Sequence, residues 1–283
     1  MWAYKQEDDF PFARILIYLA NPILTSSMNH STCILFCRCG AHVISDEKTD
    51  ELADAFRRLD ADVYELRDLC ALSVNGKDVL QATAEKYERK VVVACYPRAV
   101  KNLLRQAGLD FGEFEVLNFK ALSAEQIGVN LSESHQLQEG EASYRVLQAE
   151  LDVPAWFPVI DESRCTLCGQ CARFCLFGVY KYDKKSLRVV NPLACKNNCP
   201  ACGRTCPASA IIFPRLAEKS VLAGAEVDES KLPGQAKPGS LLFTLNERNQ
   251  ARKNIFRQGV VQLAEEERRK ALEEFKKSIR KEN

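Results

Sequence analysis

Long apolar runs are missing from this 283-residue chain. The longest, Phe10 to Leu24, is broken by Arg14 and Pro22, and it falls short of the roughly 20 residues a helix needs to span a bilayer. Lys5, Glu7, Asp8 and Asp9 precede it, and an acidic start argues against a secretory signal. Residues 1–27 therefore read as a leader or extension ahead of Met28, or as a loosely attached amphipathic segment, and no membrane span is expected. Phosphate-binding glycine patterns are absent too. Neither G-x-G-x-x-G nor the P-loop occurs, which argues against a flavin, nicotinamide or nucleotide held by this chain. Histidine is scarce, and His30, His42 and His135 lie far apart with no metal or nucleophile spacing. A dominant charge is also lacking. Lys and Arg number 39 against 38 Asp and Glu, a formal net charge of +1, so whole-chain electrostatics gives no reason to expect nucleic acid.

What the chain has instead is cysteine, 13 residues of it. In a long chain without a convincing secretory start, that number implies a reducing compartment, the cytoplasm, and metal ligation rather than disulfide bridges. Eight of the cysteines fall in two runs: Cys165-Thr-Leu-Cys168-Gly-Gln-Cys171-Ala-Arg-Phe-Cys175, and Cys195-Lys-Asn-Asn-Cys199-Pro-Ala-Cys202-Gly-Arg-Thr-Cys206-Pro207. Two residues between successive cysteines let a tight loop offer three thiolates to one iron–sulfur cube, and the fourth cysteine, three residues further on, serves a second cube. On this spacing Cys165, Cys168, Cys171 and Cys206 hold one [4Fe–4S] cluster, while Cys195, Cys199, Cys202 and Cys175 hold another. Zinc is the alternative for thiolate quartets. Zinc pairs, however, space their cysteines as two separated C-x-x-C knuckles, which these runs do not match.

The segment from about 155 to 215 resembles the two-cluster [4Fe–4S] ferredoxin module. It departs from that family in two places: Leu176 stands where a proline usually follows the first quartet, and three residues, Lys196 to Asn198, separate Cys195 from Cys199 where two are usual. Between residues 151 and 215 there are nine Lys or Arg against four acids. Many freely diffusing ferredoxins are strongly acidic, so by comparison this segment looks like part of a larger assembly, or a fused module, that passes electrons to a fixed neighbour.

Ahead of it the pattern alternates short apolar runs with amphipathic stretches, the signature of an α/β layer with a small parallel sheet. Strands are expected at Cys33–Cys37, Asp62–Leu66, Lys90–Cys95 and Phe114–Phe119, and helices at Glu47–Leu59, Lys77–Glu88, Arg98–Gln106 and Ser123–Val129, with Asp46 and Ser123 as N-caps and Gly108 as a C-cap. Cys37 and Cys39 then end the first strand, Cys70 lies just past the second and Cys95 ends the third. That is the edge at which open parallel sheets bind ligands. Phe36-Cys37-Arg38-Cys39-Gly40, Cys70 and Val91-Val92-Val93-Ala94-Cys95-Tyr96-Pro97-Arg98 resemble the N-terminal domain of the heterodisulfide reductase A family, over about residues 33–120. The resemblance implies a third [4Fe–4S] cluster on Cys37, Cys39, Cys70 and Cys95. A redox-active thiol pair such as Cys37 and Cys39, or inert buried thiols, are the alternatives. Cys33 is left over as a small apolar core residue.

The expected organisation is a leader (1–27), an α/β cysteine-containing domain (28–130), a connecting helix or linker (131–154), an α+β ferredoxin-like two-cluster domain (155–215), an irregular segment (216–245) and a charged C-terminal helix (246–283). The ferredoxin-like part is expected to hold a hairpin, Val179–Tyr182 with Leu187–Val190, and a closing strand, Ile211–Phe213. The C-terminal helix presents Leu272, Phe275 and Ile279 as a narrow apolar stripe. The function that follows is electron transfer through two or three clusters to or from a redox protein partner, flavin-containing or otherwise, with no catalysis in this chain. The alternatives are a disulfide or thiol reductase component using the N-terminal cysteines, and a redox-sensing interaction module.

Overall fold

The computed structural model describes residues 32–227 and 260–279. The expected leader, most of the expected irregular segment and the start of the expected C-terminal helix lie outside the described residues.

The apolar runs of the first half become a five-stranded, all-parallel sheet. Its strands are β1 Thr32–Arg38, β2 Asp62–Arg67, β3 Arg89–Ala94, β4 Glu115–Asn118 and β5 Ser143–Gln148, in the order β4-β3-β1-β2-β5. β1 is central because its run from Cys33 to Phe36 is wholly buried, as a strand covered on both faces must be. Helices α1 Asp46–Phe56, α2 Leu69–Asn75, α3 Lys77–Ala84, α4 Pro97–Ala107 and α5 Ala124–Glu133 connect the strands. Ser123 caps α5 with a full capping box through Gln126, and Gly108 caps α4. α1 is capped by Ser45, whose side chain accepts from Lys48 N, rather than by Asp46, which sits in the first turn.

Two elements differ from expectation. The stretch 131–154, expected as a helix or linker, contains β5, which adds a fifth strand beside β2. Its sequence, Ser-Tyr-Arg-Val-Leu-Gln, hides the strand because an edge position needs little apolar surface. Tyr144 instead donates to Glu65 (2.6 Å) and Arg145 donates to the Tyr64 hydroxyl (2.7 Å). The other is α2, whose Leu69 to Ser73 are buried and whose start is capped by Asp68, accepting from Cys70 N and Ala71 N.

The second region is built on short pairings: β6 Val159–Ile160 antiparallel to β9 Ile211–Ile212, and β7 Tyr180–Tyr182 antiparallel to β8 Leu187–Val189. One-turn helices, α6 Gln170–Phe174 and α7 Ala201–Arg204, lie within the two cysteine runs. A small core of Trp156, Ile160, Leu187, Ile211 and Phe213 forms beneath them, with Trp156 stacked on Phe213 at 5.3 Å. α8, Val260–Ile279, packs on α7. Its packing face is not the expected stripe: Ala264 and Ala271 are buried, whereas Phe275 is 53% exposed. Small side chains let the helix approach closely, and ionic contacts to Arg204 and Lys196 hold it.

The two regions meet through Arg98, at the start of α4. Its guanidinium donates to Asp161 (2.7 Å), to Ser209 O (2.5 Å) and to Val221 O (3.0 Å), and both ion-pair side chains are only 6% exposed. Burial alone pushes the Asp161 carboxyl up, but the Ser163 hydroxyl and Arg98 overcome it and hold it below the ordinary range.

Removing one member of a buried pair strands the other, at a cost of about 3–5 kcal/mol. Arg98→Met should lower the denaturant midpoint correspondingly, measured on the full chain. A carboxyl lowered on folding adds stability above its unfolded value and loses it as pH falls through its folded one. Asp161→Asn should therefore flatten the acid limb of the stability profile as well as lower its neutral plateau.

Candidate metal centres

Parallel order places the carboxyl ends of β2, β1 and β3 side by side. Cys37 is the last residue but one of β1 with Cys39 just beyond the strand, Cys70 lies in the first turn of α2 after β2, and Cys95 directly follows β3. The chain turns to opposite sides of β1 on reaching β2 and β3, so this is also the switch point of the sheet. The structure brings all four thiols into mutual electrostatic contact. Cys37 is pushed well up by burial, then by Cys39 and, more weakly, Cys95. Cys70 is pushed well up by burial, then by Asp68, Cys39, Cys95 and Cys37. Cys95 is pushed up to about 12, by burial first and then by Cys39. Cys33 faces the core instead, fully buried, its thiol pushed by burial to about 12.

Around these thiols stand polar residues that the sequence pattern does not single out. Asp68, in a left-handed backbone conformation (φ 70°), turns its carboxylate onto the main chain beside Cys70 and pairs with Arg215 at 3.0 Å. Gly40 makes room for it, because a Cβ there would lie 2.9 Å from the Asp68 carboxylate. Lys120 donates to Leu216 O (3.1 Å), stands 5.1 Å over the Tyr96 ring, and lies close enough to Cys95 and Cys39 to feel their charge. Arg215 and Leu216 come from the second region, so both regions build the surroundings of this site.

The two cysteine runs interleave. Cys165, Cys168, Cys171 and Cys206 line one hollow, and Cys175, Cys195, Cys199 and Cys202 line another. The electrostatics divide the same way. Cys171 is pushed up to about 12 by burial and then by Cys206, Cys168 and Cys165. Cys202 is pushed well up by burial and also feels Cys195, Cys175 and Cys199. Each run therefore lends its last cysteine to the other's hollow. The longer Lys196–Asn198 loop still leaves Cys195 facing Cys199 and Cys175.

Main-chain N–H groups aim at the sulfurs: Leu69 at Cys37, Ala41 and Val43 at Cys39, Ala172 at Cys171, and Ala201 at Cys199. Ala210 N lies 3.3 Å from Cys206 Sγ, and the Tyr180 hydroxyl 3.1 Å from Cys202 Sγ. Buried thiols facing one another and ringed by donors suit thiolates whose charge a bound soft metal group neutralises. Among the described residues no three His, Cys, Asp or Glu side chains are arranged to hold a single metal ion. An all-thiolate donor set of this kind is one that suits an iron–sulfur cube. Also among the described residues, no helix is long and apolar enough to cross a membrane.

Comparison with known proteins agrees with the chemistry of the donor set. Residues 157–180 match a family described as a 4Fe-4S binding domain. The chain is also similar to an uncharacterized ferredoxin of Methanocaldococcus jannaschii, 28% identical over 116 residues that cover 41% of this chain and 79% of that protein. No solved structure matches. These likenesses support at least one [4Fe–4S] cluster in this segment.

Proposed function

We propose that this chain is an electron-transfer component with three [4Fe–4S] sites: Cys165, Cys168, Cys171 and Cys206 for the first, Cys175, Cys195, Cys199 and Cys202 for the second, and Cys37, Cys39, Cys70 and Cys95 for the third. The observation that carries this reading is the interleaving of the two cysteine runs, in which Cys175 and Cys206 each face the quartet of the other run. The third site rests on convergence at the sheet's switch point. Bound clusters of this kind take up and release single electrons at potentials set by hydrogen bonds to sulfur, burial and nearby charge. The chain's own residues do the rest: thiolates hold, amides and Tyr180 donate to sulfur, and apolar walls keep water away.

Four thiols converge on this edge, whereas a reactive thiol pair needs two. That favours ligation over a disulfide reductase role for this edge. The electron partner in this reading is another redox protein, flavin-containing or otherwise, and chemistry on a substrate belongs to that partner.

Iron and acid-labile sulfide in anaerobically purified protein should come to about twelve of each per chain if three cubes are bound, and about eight if only the interleaved quartets are filled. Cys175→Ser should weaken the second site, although Cys175 belongs to the first run; selective loss of the first would refute the pairing. Cys70→Ser should remove about four irons and leave the EPR signals of the other two sites in place.

Tyr180→Phe keeps the ring and deletes the hydroxyl beside Cys202. Because a hydrogen bond to a ligand sulfur stabilises the reduced state, an EPR-monitored titration should show the second site at a more negative potential and the first unmoved.

A further inference from the structure

The openings of the interleaved quartets are dressed differently. Over the second, Arg268 and Ala271 of α8 form part of the lining, and the helix is fastened there by Glu267 to Arg204 (2.9 Å), by an ion pair between Glu274 and Lys196, and by Arg268 over the Phe174 ring (5.4 Å). That opening is roofed by the chain itself. The first is flanked by the β7–β8 hairpin. Leu187 lines it, the Tyr182 hydroxyl donates to Leu167 O (2.7 Å), and Gly169 (φ 69°) lies so close to the Tyr182 ring that a Cβ would fall 2.3 Å from it. The hairpin is thereby clamped to the loop that carries Cys165 and Cys168.

The outward side of that hairpin is basic. Lys181, Lys184, Lys185 and Arg188 are exposed, and so is Arg173, whose guanidinium donates to Cys168 O. From residue 163 to 190 the sequence has six Lys or Arg and a single acid, Asp183. The Asp183 carboxylate accepts from Lys185 N (3.0 Å) and Ser186 N (2.6 Å), which commits it to shaping the turn. A one-signed patch therefore stands beside the first quartet, where no helix of this chain neutralises it among the described residues.

We propose that this face is the docking surface for a redox protein whose own contact face is acidic. The inference rests on the iron–sulfur reading above and adds to it the exit point and the charge of the partner. Like charges across an interface suppress a wrong partner, and opposite charges raise the encounter rate by about 10- to 1,000-fold, an effect that salt removes. Each transfer moves one electron from this chain to the acceptor, with no bond made or broken between the proteins. When the acceptor is a flavin, its proton comes from water.

The test uses the full chain, reduced anaerobically, with an acidic flavodoxin as acceptor in stopped flow, beside the triple variant Lys181→Glu, Lys185→Glu and Arg188→Glu. None of these residues is a proposed ligand. The wild-type rate should fall as ionic strength rises. The variant should be slower by roughly tenfold or more at low salt, and faster than wild type toward the basic acceptor cytochrome c. Iron content and EPR spectra measured on the same samples separate the two readings. Intact clusters with equal rates in variant and wild type would overturn the docking surface alone, whereas a chain without reducible iron would overturn both. Tight binding of a single-stranded DNA oligonucleotide that is lost in the variant, with flavodoxin kinetics unchanged, would assign the patch to nucleic acid and overturn the proposal.

Discussion

The buried pairing of Arg98 with Asp161 fixes this molecule's internal geometry. Arg98 follows Cys95 by three residues and opens α4, so it is tied to the carboxyl edge of the sheet. Asp161 follows β6 and precedes Cys165 by four residues, and its own main-chain N–H donates to Ala210 O (2.8 Å). Ala210 N in turn reaches Cys206 Sγ. A chain of short contacts therefore runs from the N-terminal cysteine edge to the first quartet through one guanidinium. A planar donor with several N–H groups can bind a carboxylate and two carbonyls at once, which a lysine could not match. A buried, fully hydrogen-bonded pair holds the separation of the two sets of thiols more rigidly than apolar contact alone.

A second constraint is the cost of burying sulfur. Cys37, Cys70, Cys171 and Cys202 are all nearly inaccessible, and burial is the largest influence on each. A fold that only needed small apolar side chains could have used alanine. It places amide donors and, at Cys202, a tyrosine hydroxyl against the sulfurs instead. Cys33 illustrates the contrast: it is equally buried within β1 but lies away from the carboxyl edge, and it is simply part of the core.

The sequence made the quartets legible because ligand spacing is local: four cysteines within eleven residues announce themselves without knowledge of the fold. The first four strands were legible for a related reason, since Cys33–Phe36 and Val91–Val93 are apolar on both faces. β5 was not, because an edge strand that bonds through Tyr144 and Arg145 carries no apolar signal. Nor was the packing face of α8, where two alanines and a set of ion pairs outweigh the larger Leu272 and Phe275. Asp68, Lys120 and Tyr180 were invisible for a deeper reason: each lies beside cysteines brought near by tertiary structure. Arg98 stood in the Cys-Tyr-Pro-Arg run, yet only the fold reveals Asp161 as its partner, 63 residues away.

The asymmetry between the quartets follows from the same economy of contacts. α8 approaches the second quartet closely because Ala264 and Ala271 are small, and its acidic residues meet Arg204 and Lys196, basic residues belonging to the second cysteine run. The basic charge of that run is thereby consumed within the molecule. Around the first quartet no such helix is present among the described residues, and the β7–β8 hairpin keeps its lysines turned to solvent. One end of the segment is thus internally neutralised by the helix, while the other stays cationic.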